Sequence, residues 1–542
     1  MDAYADKNVI VAGASVVVGL LGAYVLFRPR STLRDIAGPP PSSWVYGNML
    51  ELFPPEHGIH EFNWLRKYGP VYRLKGCFGQ DRLIVSDPIA LQYLLNSAHI
   101  DYAPSLQNQV VLVGGEGTVM ALKGDMHKRF RNALNVGFTA SAVRRCRPAF
   151  GEVAEEVSRQ LEASNGSPVD ICPMLGRATL TAISKAVLGC SAEDLGEDFV
   201  SAALNLVSTA SNQSTGEQII ADAVSASLPE WLMLAMIRLP TPTFALLRRA
   251  RALAQEIGER VVSEKRRAAQ AGTDITGDLY GVLVDAAQAQ AQTQMHLGRG
   301  ARVLTDRELA EQTQMLMVAG QDTTANVLTF VLLELAKDPK LQNALRAEIR
   351  AHMHDAAEGN YDALPLLNAI IKETLRMYPV EPLTDRVALQ DAVIPLGEPL
   401  TTIKAERISS IPIRKGQIIT VGIGSYQRLE SRWGADAHQF KPTRWLEGRA
   451  PLPGSRSEGE VLGPYANLLA FSAGAHTCLG WRFAILELQV ILCGLVGKFM
   501  FARAEDFPVR IRSTTTLLPT LANGKKGAVF CVTRAADEDR EM

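Results

Sequence analysis

Between about residues 124 and 380 apolar positions recur at the three-to-four-residue spacing of amphipathic helices. The flanks read differently. Residues 62–68 suit a short helix, while 71–74 and 82–85 alternate as strands do. Strand and turn signals return between 382 and 421, at 393–395, 411–413 and 418–421, and another hairpin pattern lies near 510–533. The pattern predicts a mainly α chain with small sheets, an α+β arrangement. One segment is unusually long. Thr305-Asp306-Arg307-Glu308 has the form of a capping box, helical sequence continues to about Lys337, and Asp338-Pro339 stops it. Such a helix spans roughly 50 Å. Its middle is apolar on most faces (315–319 and 327–333), so it should cross the core. The Ala/Gln-rich stretch 286–294 reads as a loop or frayed helix end. The Gly/Pro/Ser-rich stretch 449–464 reads as an irregular surface segment.

Residues 9–27 are an uncharged apolar run, roughly 28 Å as a helix against a bilayer core of about 30 Å. Asp2, Asp6 and Lys7 precede it, and Arg28, Arg30 and Arg34 follow. That asymmetry predicts a single membrane anchor with residues 1–8 lumenal and the remainder cytosolic. A basic, Pro-rich linker (28–48), a body (49–535) and a charged tail (536–542) follow. Composition is globular: of 542 residues 47% are hydrophobic and 21% charged. The net charge of −1 offers nucleic acid no general attraction, so no nucleic-acid partner is expected. Seven cysteines, an odd number without a CxxC pair, argue against a disulfide framework or structural zinc and suggest buried thiols in a reducing compartment.

Candidate chemistry concentrates first in Phe471-Ser472-Ala473-Gly474-Ala475-His476-Thr477-Cys478-Leu479-Gly480, followed by an apolar helical run. A cysteine near a helix start meets the positive end of the dipole and unpaired N–H groups, which favour thiolate. Gly474 and Gly480 would let the backbone approach something flat. A thiolate presented from a Gly-rich loop suits a haem iron ligand. His476 and Cys478 lack the second ligand pair that zinc would need.

This loop resembles that of the cytochrome P-450 superfamily of haem-thiolate monooxygenases, F-x-x-G-x-R-x-C-x-G, matching at Phe471, Gly474, Cys478 and Gly480. His476 stands where the family usually has arginine; either can donate to a haem propionate. Three more segments extend the resemblance, which covers about residues 38–535. Ala319-Gly320-Gln321-Asp322-Thr323-Thr324 matches the family's A-G-x-D/E-T-T. The resemblance assigns Asp322 and Thr323 to proton delivery during dioxygen activation. Read alone, these polar residues could equally be a kink where a hydroxyl bonds back to a carbonyl, beside a glycine that admits a ligand. Glu373-Thr374-Leu375-Arg376 matches E-x-x-R, and Arg444, in Phe440-Lys441-Pro442-Thr443-Arg444-Trp445, would complete a buried structural Glu–Arg–Arg network. In Gly124-Asp125-Met126-His127-Lys128-Arg129-Phe130-Arg131, Arg131 fits the family's W-x-x-x-R arginine and His127 the tryptophan position. His127, Arg131 and, further on, Arg386 are then propionate contacts.

The resemblance implies one large domain, haem b as cofactor, and Cys478 as its axial ligand. It implies insertion of one oxygen atom from dioxygen into a lipophilic small molecule, such as a terpenoid, sterol or fatty acid. Electrons would come from NADPH through a separate flavoprotein reductase, and the anchor would sit in the endoplasmic reticulum membrane. Lys128, Arg129, Arg144 and Arg145 form a basic cluster, either a solvated helix face or a dock for an acidic reductase. The pocket would be lined from 101–122, 315–320, 380–384 and 513–518. The Pro-punctuated apolar stretch 228–247 suits a membrane-touching lid or ordinary packing. Two other readings remain: a haem-thiolate isomerase or dehydratase needing no reductant, and a haem-binding sensor. The Asp322–Thr323 pair argues against both.

Overall fold

The computed structural model describes residues 31–210, 215–228, 230–294, 304–448, 462–514 and 516–536. The expected lumenal segment and anchor therefore lie outside the described residues, as do 449–461 and 537–542. The long apolar segment forms the helix Thr313–Lys337, buried along nearly all its middle. It packs against Ile171–Leu188 and Trp481–Lys498, and the latter packs against Arg147–Ala163. Phe150, Leu180, Leu328, Phe330 and Leu492 meet in this largest core. A continuous helix from 305 was expected. The capping box does form, with Thr305 and Glu308 bonding each other's backbone N–H, but the helix it opens, Asp306–Ala310, ends in a turn at Glu311-Gln312. There the Gln312 amide accepts from Val119 N–H (2.8 Å) and donates to the Gly117 carbonyl (2.9 Å), tying the turn to the 115–119 segment. The Ala/Gln stretch also departs from expectation, continuing the helix Leu279–Gln294. Alanine and glutamine are good helix formers, and repetition alone does not break a helix.

A second core lies under a five-stranded sheet ordered Val71–Lys75, Asp81–Val85, Ile418–Gly422, Leu383–Ala388, Ile100–Tyr102, antiparallel except for its second and third strands. In its last pair Tyr102 lies opposite Arg386. The expected C-terminal hairpin pairs Arg510–Ser513 with Leu517–Thr520, while Val529–Arg534 joins Phe499–Arg503 in another sheet. The described part of the 28–48 segment is not a free spacer. Leu33 and Ile36 are buried in the second core, and Arg73 N–H donates to the Ala37 carbonyl. Two described segments, the helix Ile171–Leu188 and the helical stretch Asp306–Lys337 with its turn at 311–312, are long and apolar enough to span a membrane, but 72% of each apolar window is buried, as core helices are. Fold class and architecture agree with the mainly α, single-domain expectation.

Candidate active site

The cysteine loop is held from within. Cys478 N–H donates to the Phe471 carbonyl (2.8 Å), and Thr477 Oγ1 to the Gly474 carbonyl (2.8 Å). Gly474 has φ +67°, and a Cβ there would fall 1.9 Å from the Leu95 carbonyl oxygen. Its glycine thus answers to a neighbouring helix end, not to a flat ligand as expected. Gly480 differs: a Cβ would meet only Phe138 at 3.7 Å, and the residue caps the helix Trp481–Lys498.

All seven cysteines are free; Cys77 and Cys172 are buried, four are intermediate, and Cys478 is exposed. Cys478 keeps accessible side-chain surface although protein packs densely around it. Burial pushes its thiol up to about 11, against the Gly480 N–H and the Arg131 charge, which pull it down. The expected preference for thiolate is therefore reversed in the protein alone, because desolvation outweighs the helix-start donors. A coordinating metal deprotonates such a thiol outright. No group of three metal-ligating side chains occurs among the described residues.

Propionate-binding candidates gather around Tyr102. The His476 ring lies 4.3 Å from it and 4.9 Å from the His127 ring, and the Arg386 guanidinium stacks over it at 4.4 Å. Arg386 is buried and donates to Thr384 Oγ1 (2.8 Å). Burial, His476 and Arg131 push His127 down to about 4, so it is neutral. Asp101 lies 3.6 Å from His476; burial raises its carboxyl, but His476, the Tyr102 N–H and Lys123 outweigh that and hold it low. Half-buried Arg131 makes no hydrogen bond or ion pair among the described residues. Two arginines and two histidines gather here with the carboxyls of Asp101 and Glu381, leaving donors in excess of acceptors. That is what the propionates of haem b require, and the accessible, enclosed Cys478 is a suitable axial ligand. The residues fit the group.

On the central helix Ala319 alone is exposed between Thr313 and Leu335, and Thr323, one turn on, also keeps accessible surface. Thr323 Oγ1 donates back to the Ala319 carbonyl (2.8 Å), while Thr179 Oγ1 donates to the Gln321 carbonyl (2.8 Å). Gly320 does not admit a ligand as expected: a Cβ there would fall 2.6 Å from Ile183, so this glycine serves helix packing. Asp322 is tied on both oxygens, to Lys526 by an ion pair and to Asn326 Nδ2 at 3.2 Å. Asn326 also donates to the Leu517 carbonyl (3.2 Å), and Leu517 N–H to the Val380 carbonyl (2.7 Å). These bonds join 513–518 to 380–384 and to the central helix beyond 315–320, while Gln312, before that helix starts, holds 117–119.

The Glu373–Arg376–Arg444 network is present and buried. Glu373 accepts from Arg376 Nε (2.9 Å) and Nη2 (2.8 Å), Arg444 Nε (3.0 Å), Lys441 N–H (2.8 Å) and Trp445 Nε1 (2.9 Å). Of the basic cluster, Arg129 is engaged by Glu308 at 2.8 and 2.7 Å and Arg145 bonds the Thr276 carbonyl. Arg144 instead lines a groove of about 510 Å³ with Lys372, Arg482, Trp445, Tyr465 and Trp481. Sequence reasoning missed Lys526, which carries no motif, and Glu487. Glu487 lies fully buried on the helix Trp481–Lys498, where burial raises its carboxyl well above the ordinary value, opposed only by the Thr324 hydroxyl.

The family model described as Cytochrome P450 matches residues 37–529. Cytochrome P450 monooxygenase 91 of Postia placenta is 30% identical, with 87% of this chain and 89% of the relative aligned. Ganoderic acid synthetase CYP5150L8 of Ganoderma lucidum is 28% identical over 95% of each, and cytochrome P450 monooxygenase claO of Ampulloclitocybe clavipes 28% over 91% and 89%. By the family match this chain belongs to the cytochrome P450 family, oxygen-incorporating oxidoreductases that bind haem b through a cysteine thiolate.

Proposed function

We propose that the chain is a membrane-anchored monooxygenase that inserts one oxygen atom into a lipophilic small molecule, with Cys478 as the axial thiolate. The observation that carries this reading is the enclosed yet accessible Cys478, with Arg131, His127, His476 and Arg386 nearby. Haem held through a thiolate supplies the oxygen activation and transfer. The chain's own residues supply the rest. Arg131, Arg386, His476 and His127 would hold the propionates. The segments around Met315, Val380 and Leu517 would line the substrate side with apolar groups. Thr323 presents a hydroxyl proton at Oγ1, now turned to the Ala319 carbonyl, and Asp322 connects that position toward Lys526 and solvent. To pass a proton inward Asp322 must loosen its hold on Lys526. A redox partner is required. An NADPH-dependent flavoprotein reductase suits the groove bearing Arg144, Lys372 and Arg482. The intact Asp322–Thr323 pair favours oxygen insertion over isomerisation or a sensing role. Incubation with reductase, NADPH and a panel of terpenoids, sterols and fatty acids should yield a product heavier by one oxygen. The likeness to a ganoderic acid synthetase adds ganoderic acid precursors to the panel. No NADPH-dependent product from any of these would count against the reading.

Thr323→Ala removes the hydroxyl and leaves the helix otherwise intact. Substrate binding and NADPH use should persist, while product per NADPH falls and hydrogen peroxide rises. Asp322→Asn, which also breaks the Lys526 pair, should instead slow turnover. Wild-type coupling in Thr323→Ala would place the relay elsewhere.

The anchor reading makes a separate prediction. A chain starting at Thr32 keeps Leu33 and Ile36, so its fold should survive. It should leave the membrane fraction in part, yielding to salt or mild detergent. Exposed Trp231 (69%) and Leu239 (47%) would account for residual attachment. Behaviour as a fully integral protein would mean a second inserted segment.

A further inference from the structure

Tyr102 ends the strand Ile100–Tyr102, at the edge of the five-stranded sheet, and pairs with Arg386 on the neighbouring strand. Backbone bonds on both sides fix it there. Leu389 N–H donates to the His99 carbonyl (2.8 Å), and Ala103 N–H to the Asp385 carbonyl (3.1 Å). The half-buried Tyr102 ring meets the His476 ring at 4.3 Å and the Arg386 guanidinium at 4.4 Å. The His476 ring in turn lies 4.9 Å from that of His127. Two strands, a helix and the cysteine loop thus meet in one continuous stack. Asp101 adds a second hold: its Oδ1 accepts from the Tyr102 N–H (2.8 Å) and lies 3.6 Å from His476 Nε2. Arg386 spends Nη1 on Thr384 Oγ1 and the Asp385 carbonyl, while its Nε and Nη2 make no hydrogen bond among the described residues. An imidazole at 476 is shorter than an arginine and lacks its planar fork of donors, so its direction has to be fixed by what it packs against. An aromatic ring does this and also attracts the guanidinium, whose edge and donors stay free when it stacks.

We propose that Tyr102 is a positioning residue for the haem: its ring holds the Arg386 guanidinium and the His476 imidazole in the orientation that receives the propionates, and so slows haem loss. This rests on the reading of those two residues as propionate donors. The ring acts through its two neighbours, so its effect exists only while they are present, and the phenol hydroxyl plays no part in it.

The test uses the full-length haem protein and excess apomyoglobin, with the rate of haem transfer read from the Soret band. Tyr102→Leu should raise the rate about tenfold, the size expected from losing one ring contact and one cation contact together. Circular dichroism of the haem-free chain should match the wild type, and Tyr102→Val, suited to the strand, replaces it if leucine disturbs the fold. Tyr102→Phe keeps the ring and should lose haem at the wild-type rate. In a chain already carrying Arg386→Ala and His476→Ala, adding Tyr102→Leu should change the rate by no more than about twofold, because the groups it acts through are gone. A wild-type rate in Tyr102→Leu, a rate in Tyr102→Phe as fast as in Tyr102→Leu, or an undiminished effect in the Arg386→Ala, His476→Ala chain each overturns the proposal and leaves the monooxygenase reading intact. A wild-type chain that takes up no haem overturns both.

Discussion

Cys478→Ser leaves a folded chain that lacks the strongly red-shifted Soret band of the reduced carbon monoxide complex and forms no NADPH-dependent product. Two features of the structure separate this effect from general damage. The Cys478 side chain is exposed, so changing sulfur to oxygen removes little packing. The loop is held instead by the Cys478 N–H bond to Phe471 and by Gly474 against Leu95, which the substitution leaves in place. What is lost is electron donation from sulfur. In the protein alone the thiol is protonated, its value raised to about 11 by burial. Thiolate is then won by coordination, assisted by the Gly480 N–H and Arg131, and a serine hydroxyl is far harder to deprotonate. Circular dichroism should match the wild type. Cys172→Ser, in the core and 5% exposed, should keep the band. A normal band in Cys478→Ser would remove this residue from the iron.

The motifs were legible because their chemistry is local in sequence. The E-x-x-R pair sits on one helix face, the cysteine lies in a loop before a helix, and the threonines interrupt an apolar run. The α+β class was legible because the period changes at 124 and again near 382. The reasons behind particular residues were less so. Gly320 and Gly474 read as openings for a ligand, yet they answer to Ile183 and to the Leu95 carbonyl, neighbours distant in sequence. Asp322 reads as a free acid, but its partner Lys526 lies 204 residues on in a turn with no motif. Arg129 reads as part of a docking patch, yet it spends its charge on Glu308, 179 residues away. Long-range pairing is what single-sequence periodicity does not carry. The thiol's ionisation failed for another reason: dipole and donor arguments are local, and desolvation depends on everything packed around the sulfur.

The largest stability effect should come from Glu373. Five donors converge on its carboxylate, and the same arginine, Arg376, donates to the Gln427 (3.0 Å), Ala437 (2.6 Å) and Gln439 (2.9 Å) carbonyls. Arg376 and Arg444 also stack on Trp433, at 5.0 and 5.9 Å, and Trp433 packs on Trp445 (5.5 Å). Lys372 lies 6.0 Å over both Trp445 and Tyr465, and Tyr465 touches Phe471 and Trp481 on either side of the cysteine. The network therefore braces the 427–445 meander against the loop that presents Cys478. Burial alone would raise the Glu373 carboxyl, but Arg376, the Lys441 N–H and Arg444 outweigh it and hold it below its ordinary 4.5. Glu373→Ala leaves two buried guanidinium groups without their anion, at a cost of about 3–5 kcal/mol. Against a total of about 5–15 kcal/mol, that brings the chain close to unfolding at working temperature. Haem-loaded protein should be largely lost, and the denaturant midpoint of what survives should fall sharply. Because the folded value is depressed, ionised Glu373 contributes its stability above pH 4.5, and the contribution fades as pH drops toward the lower folded value. Glu373→Gln forfeits that contribution at every pH. Its deficit relative to the wild type should therefore be full at neutral pH and shrink as pH falls below 4.5. A deficit that stayed constant through that range, or one under about 1 kcal/mol at neutral pH, a size typical of exposed pairs, would mean that the five donors do not act through the carboxylate's charge.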